Sequence, residues 1–383
     1  MQQRGCGPAS WSRTEAAVAW RPRRVVAACP GRIGVRGAVL ARDRSMAVYD
    51  HPQFDQHELV TFFHDPATGL HAIVAVHSSA PLGMAGGGCR LKPYASEHDA
   101  LRDVLRLSRA MSFKLALARI PAGGAKSVIL ADPRDKSRHL LAAFGRAIDT
   151  LGGRYVAATD VGTTLDDLRT MREHTQYVVA DEKDTAWATA RGVMVGIELG
   201  CARRLDKDLS RVHVAVQGIG KVGWSLAEQL VERGARITVA DVDETAVARA
   251  VERLGAQRAD PESIHAVDAD VFAPCALGDV LDARTIEVLR CEVVAGSANN
   301  PLVDELADAE RLMKRNILYL PDFVLNMGGA LAAGQGEGYD PKERVETVLD
   351  DVMQRVDEIG ETPQNAAIAL ARQSLAERRL SMA

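Results

Sequence analysis

The segment Gln217-Gly218-Ile219-Gly220-Lys221-Val222-Gly223 constrains this chain more than any other. It follows directly on a β-rich run, Val212-His213-Val214-Ala215-Val216. It also opens an apolar series at helical spacing, Val222, Leu226, Leu230 and Val231. A second β-rich run, Arg236-Ile237-Thr238-Val239-Ala240, delivers Asp241 at its carboxyl end, eighteen residues after Gly223. Strand, glycine turn, helix, strand and acid form the order that a dinucleotide-binding βαβ unit requires. Gly218 permits the tight turn, Gly220 lets the backbone approach a pyrophosphate, and Gly223 allows close packing of helix on strand. The helix N-terminus, at Lys221 and Val222, then faces the phosphates with free N–H groups and its positive dipole end.

Asp241 bears on the choice of cofactor. A carboxylate at that position accepts hydrogen bonds from a ribose hydroxyl and would repel a 2′-phosphate. Its neighbours Val242, Asp243 and Glu244 supply no Arg or Lys to neutralise one. NAD is therefore favoured over NADP. The plainer alternative is that Asp241 merely begins a turn.

A chain of 383 residues, 47% of them apolar, suits two domains rather than one, and the strand and helix patterns along it read as α/β. The net charge of −4 provides no basic field, and 4% aromatic residues leave few stacking platforms, so nucleic acid is not an expected partner. The cysteines, Cys6, Cys29, Cys89, Cys201, Cys275 and Cys291, are scattered and form no CxxC pair. That usage suits a reducing cytoplasm better than a disulfide framework or a zinc site, and no metal is expected. No run approaches the length of an uncharged membrane span.

The first 45 residues stand apart, with nine arginines, no lysine, and only Glu15 and Asp43 as acids. Such a bias marks an over-extended reading frame with Met46 as the true start, or an organelle transit peptide; the first is favoured. The expected organisation is a non-structural extension at 1–45 and a first domain at 46–185. A Rossmann NAD-binding domain at 186–340 follows, with C-terminal helices at 341–383.

Within the first domain, Leu70 to His77 reads as a strand and Glu97 to Leu117 as a long helix. Ser127 to Leu130 reads as a short strand after a glycine turn, followed by a helix at about 136–151 and a strand at 154–158. A helix at about 189–204 precedes the βαβ unit, and Val271 to Pro274 and Glu292 to Gly296 read as further strands. After Pro341, the spacing of Val345, Val348, Leu349, Val352 and Val356 predicts a helix with one buried face. A long amphipathic helix needs a partner surface, and the first domain is the expected one.

Two lysines stand out. Lys114 lies in Met111-Ser112-Phe113-Lys114-Leu115-Ala116-Leu117, among apolar neighbours. Lys126 follows Pro121-Ala122-Gly123-Gly124-Ala125 and precedes an apolar run, at a spacing that is not a P-loop. A lysine beside another cation in a poorly solvated cleft has its pKa lowered and becomes usable as a general base. Equally, both could snorkel from buried stems. Asp160, in Ala158-Thr159-Asp160-Val161-Gly162-Thr163, either lines a cleft at a strand end or caps the next helix. Gly296-Ser297-Ala298-Asn299-Asn300-Pro301 could orient a carboxamide or a carboxylate, and taken alone is a turn motif.

Together these segments resemble the Glu/Leu/Phe/Val amino-acid dehydrogenase family, most closely its leucine and phenylalanine branch. The resemblance covers roughly Val60 to Met382, with motifs in family order. Gly83-Met84-Ala85-Gly86-Gly87-Gly88-Cys89-Arg90 is similar to the family's substrate loop. MSFKLAL, PAGGAKSVI and ATDVGTT resemble the segments bearing, in turn, the carboxylate-binding lysine, the catalytic lysine and the catalytic aspartate. VFAPCALG, AGSANN and PDFVLNMGG complete the match around Cys275, Asn299 and Asn326. Met84, Ala125 and Trp187 depart from the common pattern; Trp187 precedes the threonine-bearing segment, here Thr189.

The resemblance implies a substrate domain followed by a Rossmann domain, in a homo-oligomer. It implies reversible oxidative deamination of an L-amino acid by NAD, giving a 2-oxo acid and ammonia. Lys114 would hold the α-carboxylate with backbone help from Gly88, Lys126 would activate water, and Asp160 would relay protons. Asn299 would serve substrate and cofactor, and Thr189 and Asn326 the cofactor. Gly86, Ala158, Ala330 and Ala333 match the side-chain pocket, which is small-walled and uncharged and so suited to leucine, with phenylalanine as the alternative. Two rival readings are a catalytically idle NAD-binding protein and a 2-hydroxy-acid dehydrogenase.

Overall fold

A computed structural model of the protein describes residues 48–180, 185–335 and 339–380. The proposed extension at 1–45 lies outside the described residues.

The first sheet has strands β1 (Leu59–Asp65), β2 (Leu70–Ser78), β3 (Ala85–Lys92), β4 (Gly123–Leu130) and β5 (Tyr155–Thr159), in the order β1-β2-β4-β3-β5. Strands β1, β2 and β4 pair antiparallel, while β3 pairs parallel with both β4 and β5. Alternation along β2 sends Ile73 and Ala75 to one face and Ala72, Val74 and Val76 to the other. The first face is covered by Leu101, Val104 and Leu105 of α1 (Glu97–Leu117). The second packs on Phe144 and Ile148 of α2 (Arg138–Asp149) and on Leu168 and Met171 of α3 (Leu165–Arg172). Each such aliphatic side chain contributes about 1.5–3 kcal/mol on burial.

The second sheet is wholly parallel: β6 (His213–Gln217), β7 (Arg236–Ala240), β8 (Gln257–Arg258), β9 (Val271–Pro274), β10 (Val293–Val294) and β11 (Leu318–Tyr319). Its order, β11-β10-β9-β6-β7-β8, is that of a dinucleotide-binding Rossmann sheet. The order reverses between β6 and β9, where such sheets open a crevice at their carboxyl ends. One face packs on α4 (Ala186–Arg204) and α5 (Lys221–Glu232) through Val193, Ile197, Leu226 and Leu230. The other meets Ile286 of α7 (Ala283–Val288) and Leu312 of α8 (Glu305–Lys314); α6 (Glu244–Leu254), crossing from β7 to β8, packs on the first face beside α5 through Val247 and Ala250.

The chain then runs through α9 (Asp322–Leu325), α10 (Gly328–Gln335), α11 (Lys342–Ile359) and α12 (Pro363–Leu380). Helix α12 lies along α1, whereas α11, expected to cover the first domain, buries its apolar face on α4 and α9 instead. Arg378 of α12 donates to the carbonyls of Leu115, at 2.9 Å, and Ile120, at 2.7 Å. Arg344 of α11 donates to that of Leu117 at 2.9 Å. At the end of α1 the Leu117 carbonyl is thus met by a side chain distant in sequence, and that of Leu115 is shared between Arg378 and the Ile120 N–H.

Three local expectations are corrected. The glycine turn expected before Ser127 is already strand, since β4 begins at Gly123. The glycine-rich segment read as a loop is mostly strand β3. The cause is close packing: a Cβ on Gly87 would fall 1.7 Å from the Ala125 carbonyl oxygen. Third, the strand expected from Glu292 to Gly296 is only Val293–Val294.

Candidate active site

Lys126 stands opposite Ala75 in the ladder between β2 and β4. Its Nζ forms an ion pair with Oδ2 of Asp160, just beyond the end of β5; 9% and 7% of the two side chains are exposed. A buried pair persists only where further partners complete it. Here Arg90 Nε donates to Asp160 Oδ1 at 3.1 Å and the Val161 N–H donates to the same oxygen at 2.6 Å. Burial opposes ionisation of Asp160, but the charges of Lys126 and then Arg90 outweigh it and hold the carboxyl well below the usual carboxylate range.

The turn carrying Asp160 is tightly fixed. Gly162 has φ +78°, and a Cβ on it would lie 1.8 Å from the Leu91 carbonyl oxygen, so glycine is required twice over. Thr163 Oγ1 donates to the Cys89 carbonyl at 2.8 Å and accepts the Asp160 N–H at 3.0 Å. Gly88 lies beneath, where a Cβ would sit 2.8 Å from that of Asp160. Gly86, two residues earlier, faces space with no atom within 4 Å of a notional Cβ. Ala158 pairs with Gly88 and is half-buried.

Lys114, in the last turn of α1, reaches across to the second sheet and donates to Asn299 Oδ1 at 3.4 Å. Burial, and then the nearby charge of Lys126, lower its pKa to about 8. Asn326 Nδ2 donates to the same Asn299 oxygen and to the Ser297 carbonyl, both at 3.0 Å. The Asn299 carbonyl is thereby held by two donors. Asn326 Oδ1 is buried without a hydrogen-bond partner among the described residues, an acceptor of the kind that a carboxamide N–H satisfies. Asp322 braces the turn from behind: its Oδ2 accepts the N–H of Asn300, which has φ +51°, at 2.9 Å. Burial pushes the Asp322 carboxyl above its ordinary pKa.

The glycine turn sits at the reversal between β6 and β9. Gly218 has φ +94°, and a Cβ on it would lie 2.7 Å from the backbone nitrogen of Ala276, after β9. A Cβ on Gly223 would meet the Gly218 carbonyl oxygen at 2.0 Å, whereas one on Gly220 would meet nothing within 4 Å. Open space at Gly220, with Lys221 and Val222 starting α5, fits a pyrophosphate. Asp241 Oδ2 accepts the Ile219 N–H at 2.7 Å and Oδ1 accepts the Asp243 N–H at 3.0 Å. It therefore braces the turn, and a carboxylate has lone pairs left for a hydroxyl. Thr189 Oγ1 donates to the Thr185 carbonyl at 2.8 Å and stands 2.5 Å from where a Cβ on Gly329 would lie. That contact brings α10 against α4; on α10, Ala330 is half-buried and Ala333 exposed.

The folded chain thus links Lys114, Lys126, Asp160, Asn299 and Asn326, and separately gathers Gly218, Gly220, Gly223 and Asp241. Sequence reasoning missed Arg90, Asp103 and Asp322. Only Arg90 carried a signal, as a cation directly after a run of small residues. Among the described residues, no group of three or more His, Cys, Asp or Glu side chains is placed to hold a metal ion. No helix among them is long and apolar enough to cross a membrane.

Residues 57–177 match the family model for the Glu/Leu/Phe/Val dehydrogenase dimerisation domain, and 242–379 match that for glutamate/leucine/phenylalanine/valine dehydrogenase. The chain belongs to the Glu/Leu/Phe/Val dehydrogenase family. It is therefore an amino-acid dehydrogenase, an oxidoreductase of a family that uses nicotinamide cofactors. It is 41% identical to L-tryptophan dehydrogenase of Nostoc punctiforme over 82% of this chain and 92% of that protein. The crystal structure of that dehydrogenase matches with a TM-score of 0.65, at 38% identity over 84% of this chain and 97% of the other. Phenylalanine dehydrogenase of Bacillus thermotolerans is 41% identical over 76% of this chain and 80% of its own length. Leucine dehydrogenase of Geobacillus stearothermophilus is 40% identical over 80% and 86%. Relatives with three different substrates thus stand at nearly the same identity.

Proposed function

We propose that this family member catalyses NAD-dependent, reversible oxidative deamination of an apolar L-amino acid, leucine or another branched-chain substrate. The supporting observation is that Lys126 and Asp160 form a buried pair beside Lys114, whose ammonium touches Asn299 from the second sheet. Amino acid, NAD⁺ and water give 2-oxo acid, ammonium, NADH and a proton. When bound, the cofactor accepts hydride from the substrate Cα. Lys114 pairs with the α-carboxylate, aided by backbone at Gly88, and Asn299 orients the substrate from the other side. Lys126 takes a proton from the water that attacks the imine carbon. Asp160, through Oδ2, passes protons to and from the substrate nitrogen. Thr189, Asn299 and Asn326 position the nicotinamide end; Gly218, Gly220, Lys221, Val222, Gly223 and Asp241 hold the rest. Gly86, Ala158, Ala330 and Ala333 form the side-chain pocket.

A substrate domain at 46–185, a cofactor domain at 186–340 and a C-terminal segment at 341–383 are part of this reading, as is a cytoplasmic homo-oligomer. An edge strand, β1, with Phe62 half exposed, supports association through the first sheet. The free thiols of Cys89, Cys201, Cys275 and Cys291 suit a reducing compartment.

An aromatic substrate is the second reading, favoured by the open space at Gly86. Initial rates of NADH formation with L-leucine, L-valine, L-phenylalanine, L-tryptophan and L-glutamate test both readings. The highest kcat/KM is expected for leucine; a higher value for phenylalanine or tryptophan replaces the first reading with the second. For cofactor choice, NAD is expected to be much the better acceptor, and Asp241→Ser to narrow its lead over NADP. Equal kcat/KM with the two cofactors in the unaltered protein would remove Asp241 from ribose recognition.

A further inference from the structure

Arg90 is the one cation bound to Asp160 that the proposed reaction leaves unused. It lies in β3, 7% of its side chain is exposed, and its guanidinium forks between two carboxylates. Nε donates to Asp160 Oδ1 at 3.1 Å, and Nη1 donates to Asp103 Oδ2 of α1 at 3.0 Å. Asp103 is itself held from outside: the Tyr94 hydroxyl donates to it at 2.8 Å, and Lys92 Nζ lies 3.9 Å away. The guanidinium is planar and does not release its proton in proteins, so this link conveys charge and direction but no proton.

The two oxygens of Asp160 are consequently unlike. Oδ1 is occupied by Arg90 and by the Val161 N–H, while Oδ2, among the described residues, pairs with Lys126 alone. We infer that Arg90 is a positioning residue for the reaction: it turns Oδ2 of Asp160 to the reacting side and keeps the carboxylate charged while Lys126 gains and loses its proton. The inference rests on the roles proposed above for Lys126 and Asp160. Without Arg90, a buried carboxylate beside a lysine that has given up its proton would have no cation in contact and would take up a proton itself.

The other groups around Asp160 do not replace this charge. Lys114 acts on it from α1 without contact, and Cys89 of β3 and Tyr155 of β5 are neutral, with burial pushing both well above their ordinary pKa. Asp103 works against Arg90, as a negative charge on its far side. That opposition gives a test with two signs. Removing the cation raises the affinity of neighbouring groups for protons, and removing the distal carboxylate lowers it.

The experiment measures kcat and KM for the best amino acid across pH, on the full chain, for the unaltered protein, Arg90→Gln, Arg90→Lys and Asp103→Asn, with melting curves for each. Arg90→Gln is expected to move the acid limb of kcat/KM alkaline by about one unit or more. Asp103→Asn is expected to move it the other way, and Arg90→Lys to restore most of the unaltered profile. The loss should fall on kcat more than on KM. Unmoved limbs in every folded variant, or movement of Arg90→Gln and Asp103→Asn in the same direction, overturn the positioning role and leave Arg90 as a tie between β3 and α1. Should Arg90→Gln not fold, Arg90→Lys and Asp103→Asn carry the test. An unaltered protein that forms no NADH with any amino acid instead removes the proposed function, and the role of Arg90 with it.

Discussion

Lys126→Ala is expected to lower kcat by at least the ~10²–10⁴-fold that general-base catalysis supplies. Two effects act together. The substitution removes the group proposed to activate water, and it leaves Arg90 as the cation that remains in contact with Asp160, at a site where 7% of the carboxylate side chain is exposed. Loss of one partner from a buried ion pair costs about 3–5 kcal/mol, so a lower melting temperature should accompany the kinetic loss. NAD affinity should persist, because the glycine turn lies on the second sheet. Binding of NAD followed by fluorescence, together with single-turnover NADH formation, separates the effects. Retention of more than about a tenth of the unaltered kcat would exclude Lys126 as the base.

The second large effect concerns glutamate, which should be used at least ~10³-fold less efficiently than the best apolar substrate. Gly86 brings no charge to the proposed pocket, and neither do Ala158, Ala330 and Ala333. Placing a carboxylate there without a partner carries a desolvation penalty of several kcal/mol, far above the ~1–3 kcal/mol that separates apolar substrates by one methylene. Gly86→Lys should recover part of the glutamate rate while depressing that of leucine. Comparable kcat/KM for glutamate and leucine in the unaltered protein would mean that a cation outside this set meets the side chain.

The parts of the molecule legible in the sequence are those whose cause is local. The βαβ unit around Gly218 was readable because turn, helix start and strand lie within one short segment. Helix α1 was readable from Glu97 to Leu117 because its apolar face repeats at helical spacing; the structure adds a cap at Ser96, which accepts the Asp99 N–H. The glycine-rich segment misled, since glycine is turn-like on average, whereas at Gly87 it answers an approach to β4 that only pairing creates. Lys126 and Asp160 were named together only through resemblance, since their spacing gave no reason to expect the ion pair they form. The clamp of Arg90 on Asp103 and Asp160 joins β3, α1 and the end of β5, and no local pattern encodes such a contact.

The end of α1 that carries Lys114 is completed from far along the chain, where Arg344 and Arg378 occupy carbonyls between Leu115 and Ile120. During synthesis, residues 342–380 leave the ribosome only after both sheets have been made. Until they do, the helix end that presents Lys114 lacks its cover, and α4 lacks the buried face of α11 that packs on it. Truncation before Arg378 leaves α11 in place on α4 and should loosen the end of α1 while sparing the glycine turn at Gly218. For quality control in the cell, this arrangement ties the helix end carrying Lys114 to the arrival of α11 and α12.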